Sequence, residues 1–174
     1  REVIPRELTY STQYTISQEW AWYQREDGGL DMAKLLAAFQ DFFRQHSEAW
    51  MERFDYKEAG PQLLLQAFLQ RIINGGGMID REYGLGMKRT DLLLRMPLET
   101  GDEQRVVLEL KVKRGSTEAM LAEALPQTWQ YMDKSAADEG HILIFDRSAD
   151  RSWEQKIFHD VQTFEGRSID VWGM

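Results

Sequence analysis

The sequence predicts an α/β domain in which a mixed central sheet is flanked by helices. Hydrophobic periodicity gives the order helix, three strands, helix, strand. The last strand of that series, residues 141–145, contains a continuous apolar run over 142–145, which is typical of a strand covered on both faces and reached by a helical crossover. At 174 residues and 43% hydrophobic content, the chain is large enough for one packed core.

Residues 1–57 are expected to form an N-terminal connector and helical extension packed on the core. The first 30 residues are rich in aromatic and polar side chains, including Trp20 and Trp22, and end near the turn signal Asp27-Gly28-Gly29. Asp31 suits a helix N-cap, and apolar residues continue at helical spacing to about residue 45. A second helix is predicted over residues 48–54.

Residues 58–174 are expected to form the core domain. The glycines after Asn74 predict the end of a buried helix, and Pro126 is expected to kink or divide a later one. The predicted elements are a helix from Pro61, strands over residues 78–83, 90–96 and 105–112, a helix over 118–135, a strand over 141–145, a short helix over 153–159 and a strand over 168–172.

Composition excludes several classes of function. The chain has no cysteine and three histidines, so disulfides and thiolate metal sites are excluded and a metal would be bound mainly by oxygen. No P-loop motif is present in the sequence, which excludes ATP hydrolysis by this piece. The apolar runs are too short to span a bilayer, so a cytoplasmic protein without a membrane partner is expected. His141 is predicted to be a hydrogen-bonded structural residue.

The net charge of -8 argues against a broad, sequence-independent grip on phosphate. If the domain handles DNA, another module must supply much of the binding. The first residue is Arg1 rather than methionine, and residues 1–9 resemble the continuation of an earlier segment. We therefore expect a domain cut from a longer protein.

A predicted β-hairpin brings two acids and a lysine together. Its turn is expected at residues 99–102, and the midpoint between Asp91 and Glu109 falls on Thr100. Directly opposed residues point to the same face, with Cβ atoms roughly 4.5 to 5.5 Å apart. Strand alternation places Lys111 on the face of Glu109. One face of the hairpin is thus expected to be apolar and the other to carry the charges.

Two carboxylates at such a distance repel, so either one takes up a proton or a cation lies between them. Hard oxygen ligands suit Mg²⁺, which keeps several waters and binds through one or two carboxylates plus substrate phosphate. Lys111 would then stand beside the activated water. The alternative is an ordinary amphipathic edge strand, in which Glu-x-Lys arises by chance.

The series Arg89-Thr90-Asp91, Glu109-Leu110-Lys111, and Gln127 with Tyr131 on a following helix resembles the PD-(D/E)xK nuclease superfamily. The match spans about residues 58–146 and implies a restriction-endonuclease-like core of order αβββαβ. It looks most like the nuclease-like domain found C-terminal to AAA-type ATPase modules in bacterial proteins. The segments LLLQAFLQRIINGGG, REYGLGMKRTDLLL and GHILIFDRS carry that closer resemblance.

The resemblance implies a role for each matched residue. Asp91 and Glu109 would bind Mg²⁺ or Mn²⁺, with Lys111 and Gln127 completing the catalytic set. Tyr131 and Arg89 would contact the nucleic acid, which is expected to be DNA.

A helical acid often completes this metal site, and Glu58 is the candidate. Because proline favours the first helical turn, Pro61 leaves a second possibility, in which Glu58 precedes the helix and Gln62 faces the site.

Three functions compete on this sequence. The first is a Mg²⁺-dependent nuclease tethered to an upstream ATPase domain that supplies DNA binding and control. The second is a catalytically inactive nuclease-like fold kept as a binding or regulatory module, which the acidic charge favours. The third is an interaction domain whose N-terminal aromatic segment docks on the upstream ATPase.

Overall fold

The structure, a computed structural model, describes residues 22–51, 59–73, 76–85 and 88–174, and of residues 47–51, 59 and 81–91 it describes the backbone alone. The helices are α1 (Met32–Met51), α2 (Ala59–Ile72), α3 (Thr117–Ser135) and α4 (Trp153–Lys156). The strands are β1 (Met78–Leu85), β2 (Lys88–Pro97), β3 (Glu103–Val112), β4 (Glu139–Phe145), β5 (Phe158–Phe164) and β6 (Arg167–Gly173). The predicted α/β class and the order helix, three strands, helix, strand are confirmed.

The six strands form one mixed sheet in the order β1-β2-β3-β4-β6-β5. β1, β2 and β3 are an antiparallel meander, as predicted. α3 then crosses over the sheet so that β4 lies parallel to β3, and β6 is parallel to β4. The carboxyl ends of β3 and β4 therefore meet at one edge of the sheet, where open α/β sheets usually bind ligands.

Each face of the sheet carries its own apolar layer. Leu92, Leu108 and Phe145 pack in a cluster with α1 and α2, whereas Val107 and Ile144 pack in a second cluster with α3. Consecutive residues of β4 thus alternate between two buried layers, which explains why residues 142–145 are apolar without a break. Burying one such side chain stabilises the fold by roughly 1.5 to 3 kcal/mol.

α1 begins as predicted but runs further. The Asp31 carboxylate accepts a hydrogen bond from the Lys34 backbone N–H at 3.1 Å, which confirms the N-cap. The predicted break between residues 45 and 48 is wrong, because the helix continues to Met51. At His46 the ring stacks on Phe42 with centroids 4.6 Å apart, and its Nδ1 lies 2.9 Å from the Phe42 carbonyl oxygen. These contacts hold the polar segment in the helix.

Pro126 was predicted to kink or divide this helix; the division is wrong, because α3 is continuous from Thr117 to Ser135, and the kink stays a prediction. The Ser116 side chain caps its first turn by accepting from the Ala119 N–H, and Ala136 ends it with a positive φ of 50°. Tertiary packing of α3 on the sheet overrides the local preference of proline.

The C-terminal segment contains a strand that was not predicted from the sequence. The helix expected over residues 153–159 ends at Lys156, and β5 follows at once. A two-residue turn at Glu165 and Gly166, with φ of 48° and 78°, joins β5 to β6. The predicted last strand is confirmed as β6.

Part of the N-terminal segment packs on the core. Trp22 and Tyr23 lie against the cluster beneath α1 and α2, and Gln104 hydrogen-bonds both the N–H and the carbonyl of Leu30. Trp20 lies outside the described residues, and the domain boundary at residue 57 stays a prediction. Among the described residues, no helix is both long enough and apolar enough to cross a membrane.

Candidate active site

The β2–β3 hairpin has the predicted register. Its pairs run from Pro97 opposite Glu103 to Leu92 opposite Leu108, so each pair is symmetric about Thr100. The turn is closed by the Leu98 N–H, which donates to the Asp102 carbonyl at 2.8 Å. The pairing extends to Leu92 and Leu108, one residue before Asp91 and Glu109, whose direct opposition stays a prediction. The Asp91 side chain itself lies outside the described residues.

Glu109 and Lys111 share a face of β3, as alternation predicts, and they form an ion pair. Lys111 Nζ lies 2.9 Å from Glu109 Oε1, and the Glu109 side chain is only 5% exposed. The same face is apolar further along the hairpin, where Val107 and Leu93 are buried beneath α3. Glu109 and Lys111 therefore lie between this apolar layer and the open end of the sheet.

Gln127 joins this pair from α3. Lys111 Nζ donates a hydrogen bond to Gln127 Oε1 at 3.1 Å, so one ammonium group links the third strand to the crossover helix. The structure thus brings together three of the four predicted catalytic side chains.

Tyr131 lies one helical turn beyond Gln127, and it is buried with 3% exposure in the cluster beneath α3. Its ring packs against the sheet, so little of its surface faces solvent. The predicted contact between Tyr131 and substrate stays a prediction.

Two further predicted site residues, Glu58 and the Arg89 side chain, lie outside the described residues. α2 begins at Ala59, two residues before Pro61. Gln62, the alternative to Glu58, lines a cavity of about 240 Å³ together with Lys111 of the ion pair. The other lining residues are Pro61, Leu110, Lys111, Val112, Arg114 and Phe145.

This cavity opens between the start of α2 and the ends of β3 and β4. Its walls are apolar at Phe145 and polar at Gln62, Lys111 and Arg114. A small number of polar groups set in apolar walls is the usual composition of a ligand pocket.

A second charged cluster, centred on Asp146, was not predicted. Lys113 Nζ lies 2.9 Å from the Asp146 carboxylate, which Arg151 and the Ser148 hydroxyl also contact, and the Ser148 N–H donates at 3.0 Å. Burial opposes ionisation of Asp146, but the hydrogen bonds from Ser148 and Lys113 outweigh it and hold its pKa well below the ordinary value. Arg151 is thus part of this cluster.

The sequence holds a signal for that cluster. Lys113 continues the alternation of Glu109 and Lys111, and Asp146 directly follows the apolar run of β4. In parallel neighbours these two positions meet, since the Lys113 N–H donates to the Phe145 carbonyl at 2.9 Å.

His141 has the structural role that was predicted. It is buried, and its Nδ1 accepts a hydrogen bond from Trp172 Nε1 at 3.2 Å. Its Nε2 lies 3.5 Å from Glu139 Oε2. The Trp172 bond places the proton of the neutral ring on Nε2.

The donor set suits a hard cation in part. Among the described side chains, no three His, Asp or Glu residues lie close enough together to hold a metal ion. Glu109 is the described member of the expected set Asp91, Glu109 and Glu58. Its carboxylate, held in place by Lys111, is the oxygen donor that Mg²⁺ favours.

Comparison of the chain with protein-family models, with curated proteins and with solved structures finds no match. Because a fold hosts many functions, a function for this chain has to be argued from the side chains of the site.

Proposed function

We propose that this domain is a metal-dependent nuclease that hydrolyses DNA phosphodiester bonds at the site of Asp91, Glu109 and Lys111. The observation that carries the proposal is the contact of Lys111 Nζ with both Glu109 and Gln127, at 2.9 and 3.1 Å. Removing a carboxylate from water costs several kcal/mol. A buried acid at the open end of a sheet, paired with a lysine that lines a cavity, is therefore better explained by a use than by stability.

Asp91 and Glu109 would hold Mg²⁺ or Mn²⁺, with Glu58 as a third ligand. When bound, such a cation supplies Lewis acidity and lowers the pKa of a coordinated water. Glu109 supplies a carboxylate whose position is fixed by its ion pair.

Lys111 would donate to a phosphate oxygen and neutralise the charge that develops there in the transition state. Gln127 orients the ammonium group through the bond at 3.1 Å. Arg89 and Tyr131 would contact the DNA. The cavity between Gln62 and Phe145 provides room for a part of the substrate next to the reacting phosphate.

The surrounding protein would supply what this domain lacks. With a net charge of -8 the domain is poorly suited to hold DNA by charge alone. We propose that an upstream ATPase domain in the full-length chain, a cytoplasmic protein, provides DNA binding and control.

The test is cleavage of fluorescently labelled DNA by the purified chain with Mg²⁺ or Mn²⁺, measured with single- and double-stranded substrates. Asp91→Ala, Glu109→Ala and Lys111→Ala should each abolish cleavage. Glu103→Ala is the matched control, because Glu103 is an acid on the same strand that pairs with Arg105 at the opposite end. Cleavage that survives all three site substitutions would exclude this site.

A second candidate function is a nuclease-like module that binds or regulates without catalysis, and the net charge of -8 favours it. Calorimetric titration with Mn²⁺ separates the two. Saturable binding that Glu109→Ala removes and Glu103→Ala retains supports the nuclease, whereas no saturable binding supports the inactive module.

A further inference from the structure

β5 is the outermost strand of the sheet in the part of the chain that the structure describes. Val161, at its centre, is 52% exposed and is one of two large hydrophobic side chains exposed among the described residues. The strand carries no lysine or arginine, the residues that commonly protect an edge from pairing. This edge offers backbone groups and an apolar side chain together.

The turn fixes which backbone groups face outward. Glu165 and Gly166 both have positive φ, which defines a type I′ turn, and Phe164 is paired with Arg167 across it. In such a turn the carbonyl before the turn accepts from the N–H after it. Because hydrogen-bonded and non-hydrogen-bonded pairs alternate, the N–H and C=O groups of His159, Val161 and Thr163 point away from β6.

We propose that two copies of this chain pair antiparallel through β5, with Val161 on the two-fold axis, so that their sheets join into one of twelve strands, six from each copy. Val161 then pairs with Val161 of the second copy, and His159 pairs with Thr163 in both directions. These three pairs use the outward groups, with two hydrogen bonds in each pair. The inference does not depend on the proposed nuclease activity.

The charges on β5 and the length of the strand favour this register over the two in which the axis is moved by one residue. With Val161 on the axis, Asp160 lies opposite Gln162 of the second copy, a carboxylate facing an amide. Moving the axis to Asp160 would oppose two like charges, which is destabilising. Moving it to Gln162 would bring His159 opposite Glu165, outside the strand. The Val161 register alone pairs all seven residues of β5.

One pair of strands buries little surface, so the dimer is expected to be weak and to require high protein concentration. Disulfide trapping suits it, because the chain has no cysteine of its own. In Val161→Cys the two Cα atoms would lie about 5.5 Å apart, within the range that a disulfide spans. In the control Thr163→Cys the two positions are four residues apart along the strand, roughly 14 Å.

Under mild oxidation, Val161→Cys should give at least ten-fold more covalent dimer than Thr163→Cys. Wild-type protein should also show a sedimentation coefficient that rises with concentration, and Val161→Lys should abolish that rise while its thermal unfolding stays unchanged. Equal trapping of the two cysteine variants would overturn the proposal. A wild-type sedimentation coefficient that is independent of concentration would overturn it as well.

Discussion

Replacing Asp146 with Asn would remove a buried charge where β3 and β4 end. The Asp146 carboxylate accepts hydrogen bonds from Lys113 Nζ at 2.9 Å and from the Ser148 N–H at 3.0 Å, and it also contacts Arg151. A hydrogen bond to a charged group contributes roughly 1.5 to 3 kcal/mol, and breaking a fully buried ion pair costs roughly 3 to 5 kcal/mol. Lys113 and Arg151 are 15% and 35% exposed, so water compensates part of the loss. We expect Asp146→Asn to lower the free energy of unfolding by about 2 to 4 kcal/mol.

The effect should depend on pH in a defined direction. The pKa of Asp146 in the folded state is held below its unfolded value, which is near 3.9. Its charge therefore stabilises the fold above that pH, and the contribution is lost as pH falls towards the folded pKa. The difference in unfolding free energy between wild type and Asp146→Asn should be full at pH 7 and shrink below about pH 4.

Urea unfolding followed by tryptophan fluorescence, repeated between pH 7 and pH 3, measures this difference. The matched control is Glu154→Gln, because Glu154 pairs with Arg44 at 3.2 Å on the surface and should show no measurable loss. A loss equal to that of Glu154→Gln, or one that grows as pH falls, would refute the assignment of Asp146 as a buried anchor.

Two further substitutions test the packing and the positioning of the site. Gln127→Ala should lower kcat of the proposed DNA cleavage roughly 10- to 100-fold, by analogy with the loss of other positioning contacts, and should leave thermal unfolding unchanged. Gln130→Ala, at an exposed position on the same helix, should leave kcat unchanged. An unaltered kcat in Gln127→Ala would remove Gln127 from the site. Gly140→Ala should lower the free energy of unfolding by about 1 to 3 kcal/mol, because an added Cβ would collide with Met132 and lie 3.1 Å from Thr128 Cγ2. Gly60→Ala is the control, because its Cβ would meet nothing within 4 Å. Equal denaturation midpoints for the two variants would contradict this account.

The hairpin was predictable because its determinants are local. A turn at Glu99 to Asp102 fixes which residues face each other, and the pairs Leu92–Leu108 and Pro97–Glu103 follow from symmetry about Thr100. Alternation then sets the face of every residue on β3. The face of β3 that carries Glu109 and Lys111 also carries Val107. The burial of Val107 under α3 was not predicted, because it depends on a helix that comes later in the chain.

β5 escaped prediction because its apolar residues mimic a helix. Phe158, Val161 and Phe164 recur every three residues, a spacing that favours a helical turn over a strand. In the sheet, Phe158 and Phe164 pack on the α3 side, while Val161 is exposed. The two-residue turn at Glu165-Gly166 between polar segments was the usable signal, since positive φ suits glycine and matches a hairpin.

Some contacts of the candidate site follow from local sequence patterns, and others depend on segments that are distant in the chain. Glu109 and Lys111 are two residues apart on one strand, so alternation alone places them together. Gln127 reaches Lys111 only because α3 crosses over the sheet at the height that the parallel pairing of β3 and β4 imposes, which no local pattern encodes. Asp146 meets Lys113 through the same parallel pairing, but here the alternation of β3 and the position directly after the apolar run of β4 were usable signals. Substitutions that shift α3 or the β3–β4 register should therefore move Gln127 away from Lys111 and leave the Glu109–Lys111 pair in place. If the proposed DNA cleavage falls in such variants, the positioning of Lys111 depends on its contact with Gln127, which the tertiary fold provides.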